Sequence, residues 1–311
     1  MAVMQDIFKD VKNFLAHIDD CLTYGSSEEE WFTSFVHTLK VSRLREAYWK
    51  LSKLQICMRK MKFLGHVFHN DHIEPDKSRI KALENIAAPT TKRLAQGVVG
   101  LFVYWRAYIP MFSKITSPIR KVITEAIGQK IVWTEEAQAG LEKLKTAILK
   151  NAVLWFPDYK KVTEENPFML YTDSSGVAMG YVLVHEKKLV KCGSKTFKTH
   201  ELKWPITRKE FHGLVWAIED GNDMIKYRPT LAHIDARNVP FFVKNSEKKF
   251  HEVWSRYSAC LSRLPSLKIK FIRGLLNRLA DAMTRNMHSH SHRDVPRKPS
   301  KDATTNLSRP S

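Results

Sequence analysis

The chain has 311 residues, of which 43% are hydrophobic and 27% charged, and this ordinary globular composition excludes a wholly disordered protein. Lys and Arg outnumber Asp and Glu by 51 to 32, so the net charge is +19, and a polyanion such as nucleic acid is the expected partner. No apolar stretch approaches the roughly 18 residues of a membrane span, no signal peptide is recognisable, and the four separated cysteines favour a reducing intracellular compartment, cytoplasmic or nuclear.

The first 62 residues are predicted to be largely helical. Residues 1–25 are predicted to be a helix that leads into a short apolar run, FLAHIDDCLTY. A second helix is predicted within residues 26–62, with Ser26 or Ser27 as its cap and acidic residues in its first turn. The apolar residues that recur there at helical spacing are Phe32, Phe35, Val36, Leu39 and Leu44.

Residues 63–160 begin with a turn-rich piece, FLGHVFHNDHIEPDKSRI, and continue as short helices that Pro89, Pro110 and Pro118 are expected to end. Two helices are predicted over KRLAQGVVGLFVYWRAYI and EEAQAGLEKLKTAIL. The first carries an aromatic stripe, and packing in a core is the preferred interpretation for Tyr104 and Trp105.

Residues 161–290 change character, because strand-like runs alternate with helical ones. Strands are predicted in PFMLYTDSS, AMGYVLVHE, PTLAHIDAR and SLKIKFIRG. Helices are predicted in TRKEFHGLVWAIEDGNDMI, FHEVWSRYSACLSRL and NRLADAMTRNM. The alternation predicts an α/β fold, a mixed sheet covered by helices. The polar tail contains His288, His290 and His292, for which a solvated basic segment is preferred over a weak metal site.

Four acids of this half stand where surface acids are not expected. Asp173 and Asp235 end apolar strands, Glu210 has apolar neighbours on a helix, and Asp281 lies between apolar residues in LADAM. Strand-end acids at one sheet edge can meet acids from covering helices, and converging carboxylates need a divalent cation as counter-charge. Oxygen ligands suit Mg²⁺ or Mn²⁺, and two such ions can activate water and stabilise the leaving oxygen of a phosphodiester.

Each acid also has a simpler interpretation. Asp173 and Asp235 could be turn formers or helix caps. Glu210 could pair with Lys209 or Arg208 at the surface, and Asp281 could pair with Arg278 or Arg285 on its helix. The four acids taken together, in their order and contexts, favour the metal site.

Four segments carry these acids: TDSSGVAMGYVLV, KEFHGLVWAI, IDA and NRLADAMTR. Together they resemble the ribonuclease H domain of gypsy-type long-terminal-repeat retrotransposon Pol polyproteins. The resemblance implies a ribonuclease H-like mixed five-stranded sheet with flanking helices. It also implies that Asp173, Glu210, Asp235 and Asp281 are catalytic and hold two Mg²⁺, with Mn²⁺ as a substitute. Ala236 stands where the family has histidine after the third acid, and Gly213 stands where it has alanine.

The resemblance extends upstream. FLGHVFHNDHIEPDKSRIKAL and LAQGVVGLFVYWRAYIPMFSKITSPIRKVI resemble the segment after the palm and the thumb and connection of the reverse transcriptases of these elements. These regions hold primer–template in the family, and basic side chains here suit phosphate contacts. The candidate nucleic-acid-binding residues are Lys92, Arg93, Arg106, Lys114, Arg120 and Lys121.

The segment His17-Ile18-Asp19-Asp20 resembles the polymerase motif of the palm hairpin, with histidine in place of tyrosine. The third acid of that metal site would lie upstream of residue 1. DNA synthesis is therefore expected only if a second subunit or a longer Pol polyprotein supplies the rest, and Asp19 and Asp20 could be no more than a polar turn.

The predicted organisation is a palm remnant over residues 1–70, a mostly helical thumb and connection over 71–160, a ribonuclease H-like domain over 161–287 and a disordered basic tail over 288–311. The predicted activity is Mg²⁺-dependent endonucleolytic hydrolysis of the RNA strand of RNA–DNA hybrids. The alternative is a catalytically silent nucleic-acid-binding remnant of a reverse transcriptase, and a third hypothesis is an interaction protein that uses the scaffold alone.

Overall fold

The computed structural model describes residues 2–58, 60–235, 257, 260–261 and 264–272. Asp281, the predicted helix over 277–287 and the tail lie outside these residues, as does most of the predicted helix over 250–264. Within the described ranges, no helix is both long and apolar enough to cross a membrane.

The N-terminal part combines two helices with a hairpin. Helix α1 (Ala2–Ile7) precedes strands β1 (Phe14–His17) and β2 (Asp20–Thr23), which pair antiparallel across a two-residue turn. Helix α2 (Glu28–Leu44) follows, and the Ser27 hydroxyl accepts a hydrogen bond from the backbone N–H of Glu30. The predicted cap is thus Ser27, and the helix ends well before residue 62.

The buried face of helix α2 is polar among the described residues. Ser34, Thr38 and Ser42 are buried, and each hydroxyl donates to the carbonyl four residues earlier. Phe32, with Leu39 and Leu44, is exposed. A helical period shows which residues share a face, but it does not show which face meets a neighbour.

A four-stranded antiparallel sheet follows, in the order β3 (Met61–Phe63), β4 (His66–Phe68), β5 (His72–Pro75) and β6 (Leu154–Trp155). Leu64 and Gly65 form the tight turn between β3 and β4 with φ of 47° and 72°, values that a glycine adopts without strain. The predicted boundary at residue 70, between the palm remnant and the thumb and connection, lies between β4 and β5 of this one sheet. That boundary stays a prediction.

Four helices form the middle unit: α3 (Lys77–Glu84), α4 (Lys92–Tyr104), α5 (Phe112–Thr124) and α6 (Glu135–Asn151). Threonines cap α4 and α6, because Thr91 accepts from the N–H of Leu94 and Thr134 from that of Ala137. The expectation that Pro118 ends a helix is wrong, since Pro118 removes one N–H donor within α5 and the helix continues.

The aromatic stripe of α4 divides between core and surface. Phe102, Trp105 and Tyr108 are buried, which agrees with packing in a core. Tyr104 is half exposed, its ring stacks on His66, and its hydroxyl donates to the Leu64 carbonyl. Core packing is thus wrong for Tyr104, which holds the β3–β4 turn instead.

The second half contains the predicted five-stranded mixed sheet, in the order β11-β10-β7-β8-β9. Its strands are β7 (Phe168–Ser174), β8 (Ala178–His185), β9 (Lys188–Thr196), β10 (Thr230–Ile234) and β11 (Leu267–Phe271). Strands β7, β8 and β9 pair antiparallel, whereas β10 runs parallel to both β7 and β11. Helices α7 (Ile206–Asp220) and α8 (Asn222–Ile225) follow β9 in the chain.

Helices cover both faces of this sheet, so all eight residues of β8 are buried. On one face, Tyr181 of β8 contacts Trp216 of α7. On the other, Gly180 leaves room for Met111, because a Cβ at residue 180 would lie 2.6 Å from the Met111 sulfur. The backbone N–H of Ser113 also donates to the Ser194 hydroxyl at 2.7 Å. The middle helical unit therefore packs directly on the sheet that carries the acids.

Candidate nuclease site

Two of the predicted site acids lie at the same edge of the sheet. Asp173 is the penultimate residue of β7, and Asp235 directly follows β10. The two strands are parallel and their register pairs Tyr171 with His233, which places Asp235 level with Asp173. The carboxyl ends of parallel neighbours meet at one edge, as the sequence predicts.

Helix α7 brings Glu210 to the same edge. The Ser174 hydroxyl donates to the Lys209 carbonyl at 3.0 Å, which fixes the helix against the end of β7. The buried Lys209 ammonium donates to the carbonyls of Gly176 and Leu202. Arg208 lies over the ring of Trp204. The alternative that Glu210 is a surface acid paired with Lys209 or Arg208 is therefore wrong.

Glu210 is a buried acid with an unsatisfied oxygen. The residue is 6% exposed, and its Oε2 atom has no hydrogen-bond partner among the described residues. Burial raises the pKa of Glu210 to about 8, and the negative charges of Asp173 and Asp235 add to the effect. The Ser174 N–H and Lys114 act in the opposite direction. The site thus has negative charge in excess.

A cation from the helical unit reaches this edge. The Lys114 ammonium of α5 lies 3.1 Å from Oδ2 of Asp173, and the lysine side chain is 36% exposed. Lys114 is predicted to contact phosphate, whereas the structure pairs it with a site acid. No sequence signal links the two, because they are 59 residues apart and meet only when α5 packs on the sheet.

The three described acids are near enough to interact, but they do not form a tight cage. Within the described ranges, the one set of three potential ligand atoms within 4.8 Å of one another is that of His69, His72 and Glu74. The fourth predicted acid, Asp281, lies outside the described residues. The wider spacing of the sheet-edge acids is consistent with their mutual repulsion.

The other predicted residues lie elsewhere on the fold. Asp19 and Asp20 are exposed at the β1–β2 turn. Lys92 is half-buried at the start of α4, and Lys121 of α5 pairs with Glu125 at 3.9 Å. The remaining predicted basic residues, Arg93, Arg106 and Arg120, are exposed.

Residues 133–232 match a family model described as the RNase H-like domain found in reverse transcriptase. The range begins inside the region predicted as thumb and connection and includes β7, β8, β9 and α7. Two of the acids, Asp173 and Glu210, fall within it.

Two relatives from Drosophila melanogaster match most of the chain. The retrovirus-related Pol polyprotein from transposon 297 is 28% identical over 302 residues, which are 95% of this chain and 27% of the relative. The polyprotein from transposon gypsy is 22% identical over 281 residues, 86% of this chain and 26% of the relative. The chain thus spans about a quarter of the length of these relatives.

A foamy viral protease–reverse transcriptase, solved in complex with an RNA/DNA hybrid, has a similar fold. Its TM-score is 0.65 at 20% identity, and the match covers 99% of this chain and 40% of the viral chain. The same viral protein in complex with double-stranded DNA gives a TM-score of 0.64 over 88% of this chain and 57% of the other. Sequence and fold together show that the chain is similar to a segment of a gypsy-type retrotransposon Pol polyprotein and carries a ribonuclease H-like domain.

Proposed function

We propose that this chain is a ribonuclease H that hydrolyses the RNA strand of RNA–DNA hybrids with divalent metal ions. The observation that carries the proposal is the meeting of Asp173, Glu210 and Asp235 at one sheet edge, where Glu210 is buried and one of its oxygens has no partner among the described residues. A structural acid would be expected to have an internal partner for a buried oxygen.

The donor set fits Mg²⁺ or Mn²⁺. It consists of carboxylate oxygens, the ligands that hard divalent cations prefer. Burial and the charges of Asp173 and Asp235 raise the pKa of Glu210, and a bound cation would offset both effects. We propose Asp281 as a fourth ligand and two ions in the site. Ions bound there would lower the pKa of a water molecule and stabilise the oxygen that leaves the phosphorus.

The chain's own residues bring the substrate to this edge. Asp235 is exposed and Asp173 half-buried, so a phosphate can approach the acids from solvent. The exposed basic residues of α4 and α5 can hold the flanking phosphates. Selection of a hybrid would depend on groove shape and 2′-hydroxyl contacts rather than on base edges. The viral structure with an RNA/DNA hybrid supports this substrate class.

We do not propose DNA synthesis by this chain alone. Asp19 and Asp20 lie on an exposed hairpin, and no third acid within the described ranges joins them in a group of potential ligands. A longer Pol polyprotein or a second subunit would have to complete a polymerase site.

The test compares wild type with Asp173→Asn on a labelled RNA–DNA hybrid in Mg²⁺ and in Mn²⁺. Asp173→Asn should reduce cleavage by at least about 100-fold, because it removes a ligand charge, and should leave hybrid binding largely intact. Asp223→Asn is the matched control, since Asp223 is exposed on α8 and pairs with Lys191. Cleavage that survives in Asp173→Asn would overturn the assignment.

The second candidate is a catalytically silent nucleic-acid-binding scaffold. The ion pair between Lys114 and Asp173 favours it, because an ammonium already neutralises one acid of the site. This candidate predicts salt-sensitive binding of the hybrid without cleavage in either metal. That outcome in the wild-type chain would replace the nuclease assignment.

A further inference from the structure

The hairpin formed by β4 and β5 gathers three metal-binding side chains that the nuclease proposal does not use. Its sequence, His69-Asn70-Asp71-His72-Ile73-Glu74, crosses from one strand to the next. The register pairs Val67 with Glu74 and Phe68 with Ile73, so His69 lies opposite His72. Residues directly opposite share a face, as do residues two apart on one strand. His69, His72 and Glu74 therefore project to the same side of the sheet.

The side chains meet on that face. The imidazole rings of His69 and His72 stack with centroids 4.1 Å apart, and His69 Nε2 lies 3.3 Å from Oε1 of Glu74. One potential ligand atom from each of the three residues lies within 4.8 Å of the others. The side chains are only 22%, 20% and 17% exposed in the order His69, His72, Glu74, which limits their freedom before any ion binds.

A carboxylate stands behind one of the imidazoles. His72 Nδ1 is 2.6 Å from Oδ1 of Asp71, so the imidazole can donate to Asp71 and leave Nε2 as a free electron pair. Metal-bound histidines commonly donate their other ring nitrogen to a carboxylate in this way. The ring of His72 also packs against Trp155 of β6 at 4.9 Å. These two contacts fix the orientation of the ring.

We propose that this hairpin binds one borderline transition-metal ion, of which Zn²⁺ is the representative, through His69, His72 and Glu74. Water is the expected fourth ligand, and Asp71 is a positioning residue for His72. Two imidazoles and one carboxylate select such an ion over Mg²⁺, which prefers oxygen donors. Lys60, 3.7 Å from Glu74, would be displaced from its ion pair. The bound ion would cross-link β4 to β5, and the proposal is independent of the nuclease activity.

The test must separate this site from the histidines of the tail and the acids of the nuclease site. We therefore use the full chain with His288, His290 and His292 changed to alanine and with Asp173→Asn as the background. Zn²⁺ is titrated by calorimetry, and Co²⁺ serves as an absorption probe of coordination. The background protein should bind one Zn²⁺, unaffected by millimolar Mg²⁺, and should show the intense visible bands of a four-coordinate Co²⁺ site.

His69→Ala and His72→Ala should each weaken Zn²⁺ binding by at least about 10-fold, and Asp71→Asn by about 10-fold. Glu74→Gln, which keeps the side-chain size, should also weaken it and provides a second test if a histidine variant folds poorly. His200→Ala is the control, because His200 is exposed and outside the group. An absence of saturable binding, or identical isotherms for the background and both histidine variants, would overturn the proposal and leave a surface group of ion pairs.

Discussion

Glu210 is an acid in surroundings that disfavour its ionised form. Burial raises its pKa to about 8 from 4.5, the value for an exposed glutamate, and Asp173 and Asp235 contribute further. At a pH between these two values, Glu210 keeps a proton in the folded chain that it has released in the unfolded chain. Without metal, the contribution of Glu210 to the free energy of unfolding therefore falls as the pH rises from about 4.5 to 8.

Glu210→Gln should remove this loss, because glutamine resembles the neutral acid and cannot ionise. In EDTA, urea denaturation should show similar stability for wild type and Glu210→Gln at pH 5, and an advantage of a few kcal/mol for the variant at pH 8.5. Glu219→Gln, an exposed change on the same helix, is the control. Parallel stability curves for wild type and Glu210→Gln would contradict the raised pKa.

Gly213 shows why a substitution that favours a helix can destabilise this protein. The residue lies inside α7, where alanine alone would favour the helix by about 1 kcal/mol. A Cβ at residue 213 would, however, lie 2.6 Å from the hydroxyl oxygen of Ser174. That hydroxyl holds α7 through its hydrogen bond to Lys209, so it cannot move without loss.

Gly213→Ala should therefore lower the free energy of unfolding, by about 1–2 kcal/mol. Adding Ser174→Ala should recover part of the loss, since the nearest remaining heavy atom, the Met179 Cβ, would lie 3.5 Å away. Gly97→Ala in α4 is the matched control, because a Cβ there meets nothing within 4 Å and should stabilise the chain. Denaturant unfolding measures all four proteins, and stabilisation by Gly213→Ala alone would contradict the contact.

At the scale of elements, α5 is the helix that connects the middle unit to the acids at the sheet edge. Its first turn packs on β9 through Ser113 and Ser194, and the next residue, Lys114, reaches Asp173. An ammonium at 3.1 Å from a proposed ligand neutralises part of the charge that a divalent ion would neutralise. The two cations are expected to compete for the same carboxylate.

Lys114→Met should therefore raise the affinity for Mn²⁺ several-fold in the absence of nucleic acid. Titration followed by electron paramagnetic resonance of free Mn²⁺ measures this effect without any cleavage assay. Lys121→Met is the control, since Lys121 is on the same helix but pairs with Glu125 in solvent. Weaker Mn²⁺ binding in Lys114→Met would mean that the lysine instead positions Asp173 for the metal.

Elements with a local signal could be predicted from the sequence, and contacts between distant elements could not. Strands β7 and β10 contain the apolar residues typical of a half-buried or buried strand, and α6 begins with a threonine cap followed by two glutamates. Each of these elements is therefore recognisable from its own sequence. Strand β9 escaped prediction because its lysines and a glycine weaken the pattern. The contexts of the acids along the chain predicted that Asp173, Glu210 and Asp235 would meet. The contact of Lys114 with Asp173 could not be predicted, because it depends on how α5 packs on the sheet. The pairing of His69 with His72 depends in the same way on the strand register.

At the scale of the whole molecule, the middle helical unit and helix α7 pack on opposite faces of the five-stranded sheet. The middle helical unit covers one face through Met111 and through the Cys192 thiol, which donates to the Ala107 carbonyl, while α7 covers the other. The acids at the sheet edge and the basic side chains of α5 thus belong to one continuous structure. A hybrid bound at the acids as proposed would therefore lie next to α5, whose Lys114 reaches Asp173.

The face of α5 that carries Lys114 also carries Lys121, seven residues or about two turns later. The rise between them is about 10 Å, which equals the axial length of about three phosphates of one duplex strand at ~3.4 Å each. Arg120 is exposed beside Lys121. If a hybrid binds at the acids as proposed, we expect Arg120 and Lys121 to contact phosphates that follow the helix away from the acid cluster.

Removing both charges should change how hybrid binding depends on salt. The logarithm of the association constant falls with the logarithm of the salt concentration by about 0.7–0.9 for each phosphate contact. Arg120→Ala with Lys121→Ala should therefore reduce the slope by about 1.5, measured by fluorescence anisotropy from 50 to 300 mM KCl. Lys160→Ala with Lys161→Ala removes the same charge from another exposed site and should leave the slope nearly unchanged. Equal reductions in both double variants would mean that the net charge of +19 attracts the hybrid without a defined path along α5.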